Sequence, residues 1–338
     1  MRKSLASIAG VCVIGAGLAF SAGEASAQAV LRIGSHSPPN GHPVRQVKKW
    51  MSRVEKDAGG TLVFKEFWGG QLIRSPRKQF EGMMNGIQDA SPILPSYTAK
   101  LFPDFSVFTL PFLFKDAEES SYVSWKMYEA GLLRGLDKVY VAAVYTNDNG
   151  GMHFTEKLAS VEAMRGLKVR AAGPGESAIV KAMGGVPVGM GITQVAQSLN
   201  SGVIQGTLAG WSALVPFKIM PLIRTHIDYP FGVRSFFLGI TKTVYDALPE
   251  KAKQAIDKNS GLTESRRLGR SNQGVGDRLR KRAGEDPNRV VFTLTDEQIA
   301  VQAKKFQHFH DEWIAKTKDG AKKYQALQGL IAGYRKGK

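Results

Sequence analysis

Cysteine and acidic residues are what this sequence is short of. Of 338 residues one is cysteine, at position 12, and 29 Asp and Glu stand against 46 Lys and Arg, for a formal net charge of +17. A lone cysteine excludes a disulfide framework and a multi-thiolate metal site. Long apolar runs are scarce too. One opens the chain: after Arg2 and Lys3, residues 5–20 are apolar or small and carry no charge, and Ala25-Ser26-Ala27 follows. This is the pattern of a secretory signal peptide, residues 1–27, cleaved after Ala27. The run is short for a membrane span, which needs about 20 residues. Val11 before a mid-segment Cys12 argues against a lipoprotein. Cleavage removes Cys12, and an exported chain without cysteine points to a bacterial periplasm.

Motifs for catalysis and cofactors are missing as well. The six histidines, His36, His42, His153, His226, His308 and His310, show no zinc-ligand spacing, so no metal is expected. There is no Gly-x-Ser-x-Gly elbow and no Walker loop. Gly173-x-Gly175-x-x-Ala178 resembles a dinucleotide fingerprint, but residues 184–206 contain no Asp or Glu to hold a ribose, and Pro174 occupies the loop. A plain strand-to-helix turn is the better reading, so no cofactor and no enzymatic activity are expected. The positive charge is spread along the chain. Its densest run, 266–289, is broken by Asp277, Glu285 and Asp286, and no nucleic-acid motif accompanies it. No nucleic-acid partner is expected; a basic surface of this kind attracts small anions.

Strand-like and helix-like segments alternate, which argues for an α/β fold. Leu31-Arg32-Ile33-Gly34 reads as a strand; Val44, Val47, Met51 and Val54 fall at helical spacing, and Gly59-Gly60 ends that helix. Residues 62–67 read as a strand, and Pro249 opens a helix running to about Lys258. A helix–turn–strand unit occurs twice, with helices at 76–84 and 193–199 and strands at 87–90 and 203–206. Two such units suggest two lobes of similar design, though units of this kind recur in any α/β protein. Thr295-x-x-Gln298 forms a capping box. Ile299, Phe306, Phe309 and Trp313 make one apolar stripe, and Tyr324, Leu327, Leu330 and Tyr334 make another. No low-complexity linker is present, so the lobes exchange strands.

Arg170 ends a strand, 167–170, just before a glycine-rich turn and a helix start at 178–183. Open α/β sheets place ligands at strand ends, and a helix N-terminus adds partial positive charge. An arginine there suits a carboxylate; an exposed strand-end arginine is the equally simple alternative.

The chain resembles the substrate-binding subunit (DctP-like) of tripartite ATP-independent periplasmic (TRAP) transporters. The resemblance covers nearly all of the chain after the signal. It rests on Gly69-Gly70-Gln71-Leu72, Phe102-Pro103 with Leu110-Pro111-Phe112-Leu113-Phe114, Gly166-Leu167-Lys168-Val169-Arg170, Gly184-Gly185-Val186-Pro187-Val188-Gly189-Met190 and Tyr245-x-x-Leu248-Pro249, in this order. It implies a two-lobed periplasmic binding protein fold, with a cleft between the lobes, strands crossing between them and a long helix spanning the hinge. The expected lobes are 28–149 plus 235–275, and 150–234 plus 276–338. The family's carboxylate-binding arginine falls on Arg170. Its ligand is a small-molecule carboxylate, its partners are the two integral membrane subunits, and a monomer is expected. A ligand-sensing accessory of the same fold is the nearest competing function, with a periplasmic enzyme behind it.

Two departures narrow the ligand. The family's second arginine is replaced by Met152, and its Asp and Asn near 203–210 read here as Gln205 and Ala209, followed by Trp211. Fewer polar anchors point to a monocarboxylate with an apolar or aromatic body. The residues expected at the site are Arg170, Trp211, Phe236, Tyr97, Phe112, His36, Ser35, Met152, Met190 and Ala209.

Overall fold

The computed structural model describes residues 28–337; the expected signal peptide lies outside the described residues. Among the described residues eleven strands form two sheets. They are β1 (Ala29–Gly34), β2 (Leu62–Phe67), β3 (Ala90–Ile93), β4 (Val139–Thr146), β5 (Gly150–Phe154), β6 (Lys168–Ala171), β7 (Val186–Gly189), β8 (Gly206–Gly210), β9 (Thr225–Ile227), β10 (Ser235–Thr241) and β11 (Val290–Phe292). One sheet has the order β2-β1-β3-β10-β4 and the other β11-β9-β5-β8-β6-β7. Each has one antiparallel strand contributed by the crossing chain, β10 in the first and β5 in the second, inserted among otherwise parallel strands.

The first helix shows how local chemistry sets the elements. It spans His42–Ala58, with Pro43 in its first turn, where the missing N–H costs nothing. Val44, Val47, Trp50, Met51 and Val54 are buried on one face. Gly59, at φ +55°, ends it by donating to Glu55 O. The two helix–turn–strand units are present, one in each sheet, but both strands begin later than the sequence suggests. They cover Ala90–Ile93 and Gly206–Gly210 rather than 87–90 and 203–206. The β-branched residues that suggested earlier starts, Ile87 and Val203, are about half exposed in the turns. Pairing partners fix the strands instead: Ile33 opposite Ala90, Gly210 opposite Gly150. The expected helical stripe near the C-terminus is also broken. Helices Asp296–Lys305 and Gln307–Lys316 meet at Phe306, and the first of them buries no residue.

Two crossings join the lobes and run side by side. Residues 147–149 link β4 to β5, and 228–234 link β9 to β10. Asn147 N donates to Arg234 O at 3.1 Å, Arg234 N to Asn147 Oδ1 at 2.9 Å, and Gly150 N to Gly232 O at 2.8 Å. A 24-residue helix, Leu262–Glu285, spans both lobes. Its Leu268 packs in the core beneath the first sheet, while Leu279 and Ala283 pack with Trp211 and Leu214 of the second. The last two helices, Gln307–Lys316 and Gly320–Lys336, were expected with the second lobe. They bury Trp313, Leu327 and Ile331 among Phe105, Phe108 and Val123 of the first. Lys323 Nζ sits 2.6 Å from the fully buried Asp104, and Arg335 Nε 2.5 Å from Glu119. Apolar stripes show that a helix is buried but not against which partner; these ion pairs choose the partner.

A buried pair of histidines sits in the second sheet, where His153 of β5 lies opposite His226 of β9. His153 Nε2 is 3.1 Å from Ala209 O, a carbonyl that can only accept, so this nitrogen carries the proton. His153 Nδ1 is then the acceptor for His226 Nδ1–H at 2.8 Å. The His226 ring stacks on Trp211 at 4.2 Å. Burial holds both imidazoles well below the ordinary histidine pKa.

Two predictions follow from this packing. Gly269 lies inside the long helix, where alanine would ordinarily gain about 1 kcal/mol. Here a Cβ would sit 2.3 Å from the main-chain oxygen of Ala117. Overpacking costs about 1–3 kcal/mol, so Gly269→Ala should lower the urea midpoint rather than raise it. Both buried histidines have folded pKa values below the unfolded value of about 6.5. The unfolded chain therefore binds more protons as pH falls through that value, and the pair's stabilisation, complete above it, is lost toward acid. Thermal midpoints should decline from pH 7 to pH 5, while nitrogen NMR shows both rings still neutral in the folded protein. A protonated signal from either ring at pH 5 would contradict the assignment.

Candidate functional site

Between the two sheets lies a cleft with an empty volume of about 930 Å³, part of it open to solvent. The first lobe contributes Ser35, His36, Trp68, Leu94, Tyr97, Tyr145 and Phe236 to its walls, and the second contributes Arg170, Ala172, Ile192, Ala209, Ser212 and Phe217. The walls are mostly apolar, with few polar groups, as in pockets for small organic molecules.

Arg170 projects from β6 and is 2% exposed. Its Nε donates to Met190 O at 3.0 Å, Nη1 to Leu208 O at 3.2 Å and Nη2 to Tyr97 Oη at 3.0 Å. All three acceptors are neutral. Among the described residues no carboxylate forms an ion pair with Arg170. Three of the five N–H donors of the guanidinium are thus satisfied by the protein. Tyr97 Oη also accepts from Ile192 N at 3.0 Å. With two bonds accepted, its own O–H remains free to donate. Tyr97 belongs to the first lobe and both of its donors to the second, so this hydroxyl ties the lobes together.

Rings line the rest. Tyr145 and Phe236 stack at 5.5 Å and 14°, side by side on β4 and β10. His36 lies over Phe217 at 6.0 Å across the cleft. Burial pushes the His36 imidazole down to about 4, which keeps it neutral near pH 7, and its Nδ1 has no hydrogen-bond partner.

Of the residues expected at the site, the structure brings together Arg170, Tyr97, Phe236, His36, Ser35 and Ala209. Trp211 is not on the wall. Its main-chain N–H is held by Asp148, its indole donates to Asp228 at 2.7 Å, and the ring is fully buried behind β8. The next residues, Ser212 and Ala213, face the cleft in its place. Met152 points to the opposite face of β5, into the core with Phe154 and Leu208. Phe112 packs against Phe306 and Phe231 in that same core. Met190 contributes its carbonyl to Arg170, while its side chain packs outside the cleft.

Sequence reasoning missed Arg234, Tyr145, Trp68 and Phe217. Arg234 matters most: it is 5% exposed and lines the cleft from the second crossing strand. The cleft therefore holds a second guanidinium after all, delivered from a segment other than the one where Met152 stands. No motif marks it. Only the fold shows the fit, because a Cβ at Gly150 would sit 2.6 Å from Arg234 Nη1. Among the described residues no group of three or more His, Cys, Asp or Glu is placed to hold a metal, and no helix is long and apolar enough to cross a membrane.

Comparison with known proteins agrees with this architecture. The family model for bacterial extracellular solute-binding protein, family 7 (DctP), matches residues 34–317. The C4-dicarboxylate-binding periplasmic protein DctP of Rhodobacter capsulatus is 24% identical over 337 residues, 98% of this chain and 99% of that protein. A TRAP solute-binding protein from Rhodoferax ferrireducens T118, solved with copurified benzoate, superposes with a TM-score of 0.84 at 26% identity, covering 91% of this chain and 99% of that one. A marine metagenome TRAP solute-binding protein specific for aromatic acid ligands, solved with metahydroxyphenylacetate, does so with a TM-score of 0.84 at 25% identity over the same shares. The two sheets, the cleft between them and the match over 34–317 place the chain in bacterial extracellular solute-binding protein family 7, as a solute-binding protein of the TRAP transporter type.

Proposed function

We propose that this protein captures an aromatic monocarboxylate in the inter-lobe cleft, with Arg170 as the anchor, and presents it to the membrane subunits of a TRAP transporter. The carrying observation is Arg170 itself: a buried cation with no ion-paired carboxylate, set among neutral acceptors and aromatic walls. Two donors of the guanidinium and the Tyr97 O–H are available to a guest carboxylate. Phe236, Tyr145, Trp68 and Phe217 offer flat apolar surface to a ring. Relatives at 25–26% identity were solved with benzoate and with metahydroxyphenylacetate, which supports the same ligand class.

A guest bonded to Arg170 from one side and packed on Phe236 and His36 from the other has these contacts together only when the lobes are shut. Its binding shifts the population toward the closed form, and the closed surface is what the membrane subunits recognise. The lobes are 28–149 with 235–275 and the helices at 307–336, against 150–234 with 276–292. Residues 1–27 direct export and are removed, placing the mature protein in the periplasm.

A hydrogen bond to a charged group contributes about 1.5–3 kcal/mol, and each 1.4 kcal/mol is tenfold in affinity. Arg170→Ala should therefore weaken benzoate binding at least about a hundredfold by calorimetry, with circular dichroism unchanged. Arg170→Lys, which keeps the charge and loses the planar fork, should lose about tenfold or more. Unaltered affinity in either variant would overturn the anchor. In a thermal-shift panel, benzoate and phenylacetate should raise the melting temperature more than succinate or malate. A ligand at 100 times its Kd adds about 2.7 kcal/mol, which such a scan resolves. A larger shift with the C4 dicarboxylates would sink the ligand class.

A further inference from the structure

We propose that the buried Arg234–Glu176 pair sets the net charge of the cleft, and that Glu176 is the residue that makes the site prefer monoanionic acids over dianions. The inference rests on the reading that an acid binds at Arg170.

Among the described residues lining the cleft, Arg170 and Arg234 are the charged ones, and no carboxylate is among them. Two unbalanced guanidinium groups would suit a dianion. Behind the wall, however, Glu176 Oε1 lies 2.6 Å from Arg234 Nε, with side chains 2% and 6% exposed. The other carboxylate oxygen accepts the main-chain N–H of Ala172 at 2.7 Å, and Ala172 is itself part of the wall. Glu176 stands in the first turn of the helix Pro174–Ala182, whose N-terminal dipole end attracts a carboxylate. The carboxylate is thus held in place twice.

Arg234 is equally fixed. Its main chain is bonded to Asn147 in the neighbouring crossing strand through both N and O. Gly150 leaves room for its guanidinium, since a Cβ there would lie 2.6 and 2.9 Å from Nη1 and Nη2. Nη1 is buried without a hydrogen-bond partner, and so is Nε, whose 2.6 Å approach to Glu176 Oε1 is an ion pair without hydrogen-bond alignment. His36 contributes no charge near pH 7, because burial holds its pKa at about 4.

The two cations of the wall and the carboxylate ion-paired with one of them leave a single net positive charge; Asp148 and Asp228, further back, are set against Arg280. One carboxylate cancels it. A second carboxylate would leave an uncompensated negative charge away from water, which is strongly unfavourable. Arg234 Nη1 can still donate to a neutral oxygen, such as a ring hydroxyl or carbonyl, without disturbing that balance.

The test is calorimetry with benzoate and with the three benzenedicarboxylates, so that at least one isomer spans the two arginines. The wild-type protein should prefer benzoate to every dicarboxylate by tenfold or more. Glu176→Gln keeps the acceptor for Ala172 N–H and removes the charge. It should shrink that ratio at least tenfold, through tighter dicarboxylate binding. The double variant Glu176→Gln with Arg234→Gln, which leaves no unpaired charge where that ion pair stood, should return the ratio toward the wild-type value. A folded Glu176→Gln protein with an unchanged ratio, or a double variant that binds dicarboxylates as well as the single one, would overturn the role of Glu176 and leave Arg170 as anchor. A wild-type protein that binds no aromatic acid at all would instead sink the proposed function, and this inference with it.

Discussion

A cation buried without an anion is the constraint around which this molecule is arranged. Moving a guanidinium out of water costs several kcal/mol even when its hydrogen bonds are met. Arg170 has three neutral acceptors and no ion-paired carboxylate, at 2% exposure. The folded protein carries this cost because its two lobes are large, well packed and multiply joined. In the proposed function, a guest carboxylate relieves it. Affinity at such a site comes as much from the unmet charge of the empty protein as from new contacts.

That arrangement depends on rigid surroundings. Arg170 is placed by its register in β6, opposite Val188 and Thr207. Two of its acceptors are main-chain carbonyls from the residues that flank the cleft, and the third, Tyr97, comes from the opposite lobe. Behind β8, Trp211 is locked between Asp148, Asp228 and His226. The same histidine pair bonds the carbonyl of Ala209, whose other side forms the wall of the cleft. The second layer of the site is therefore a set of hydrogen-bonded neutral rings that hold β8 in place, backed by the carboxylates of Asp148 and Asp228, which face Arg280.

The two arginines of the cleft contrast usefully. Arg170 faces neutral acceptors, while Arg234 faces Glu176. Counting guanidinium groups alone would suggest a site for two carboxylates; counting the carboxylate behind the wall gives one. The crossing strands that hold Arg234 also join the lobes, so in the proposed function the charge that balances the ligand and the hinge that encloses it are carried by the same few residues, 147–150 and 232–235.

The alternation of strands and helices, the end of the first helix at Gly59, the helix opened by Pro249, the paired helix–turn–strand units and the position of Arg170 at a strand end were legible in the sequence. Each depends on chemistry local in the chain: a ring that fixes φ, a glycine that tolerates positive φ, a period of apolar residues. The three-residue displacement of β3 and β8, the burial of Trp211 and Met152 away from the cleft, and the return of the last helices to the first lobe were not. These depend on which segment pairs with which, and on which face of a strand meets the other lobe. Arg234 and Glu176 are 58 positions apart in the sequence, and nothing near either one marks the other. The sequence by itself determined that an arginine ends a strand between two lobes. Only the tertiary structure decided how many charges surround it, because in a low-dielectric crevice the balance is struck between groups that the fold, and not the chain order, makes neighbours.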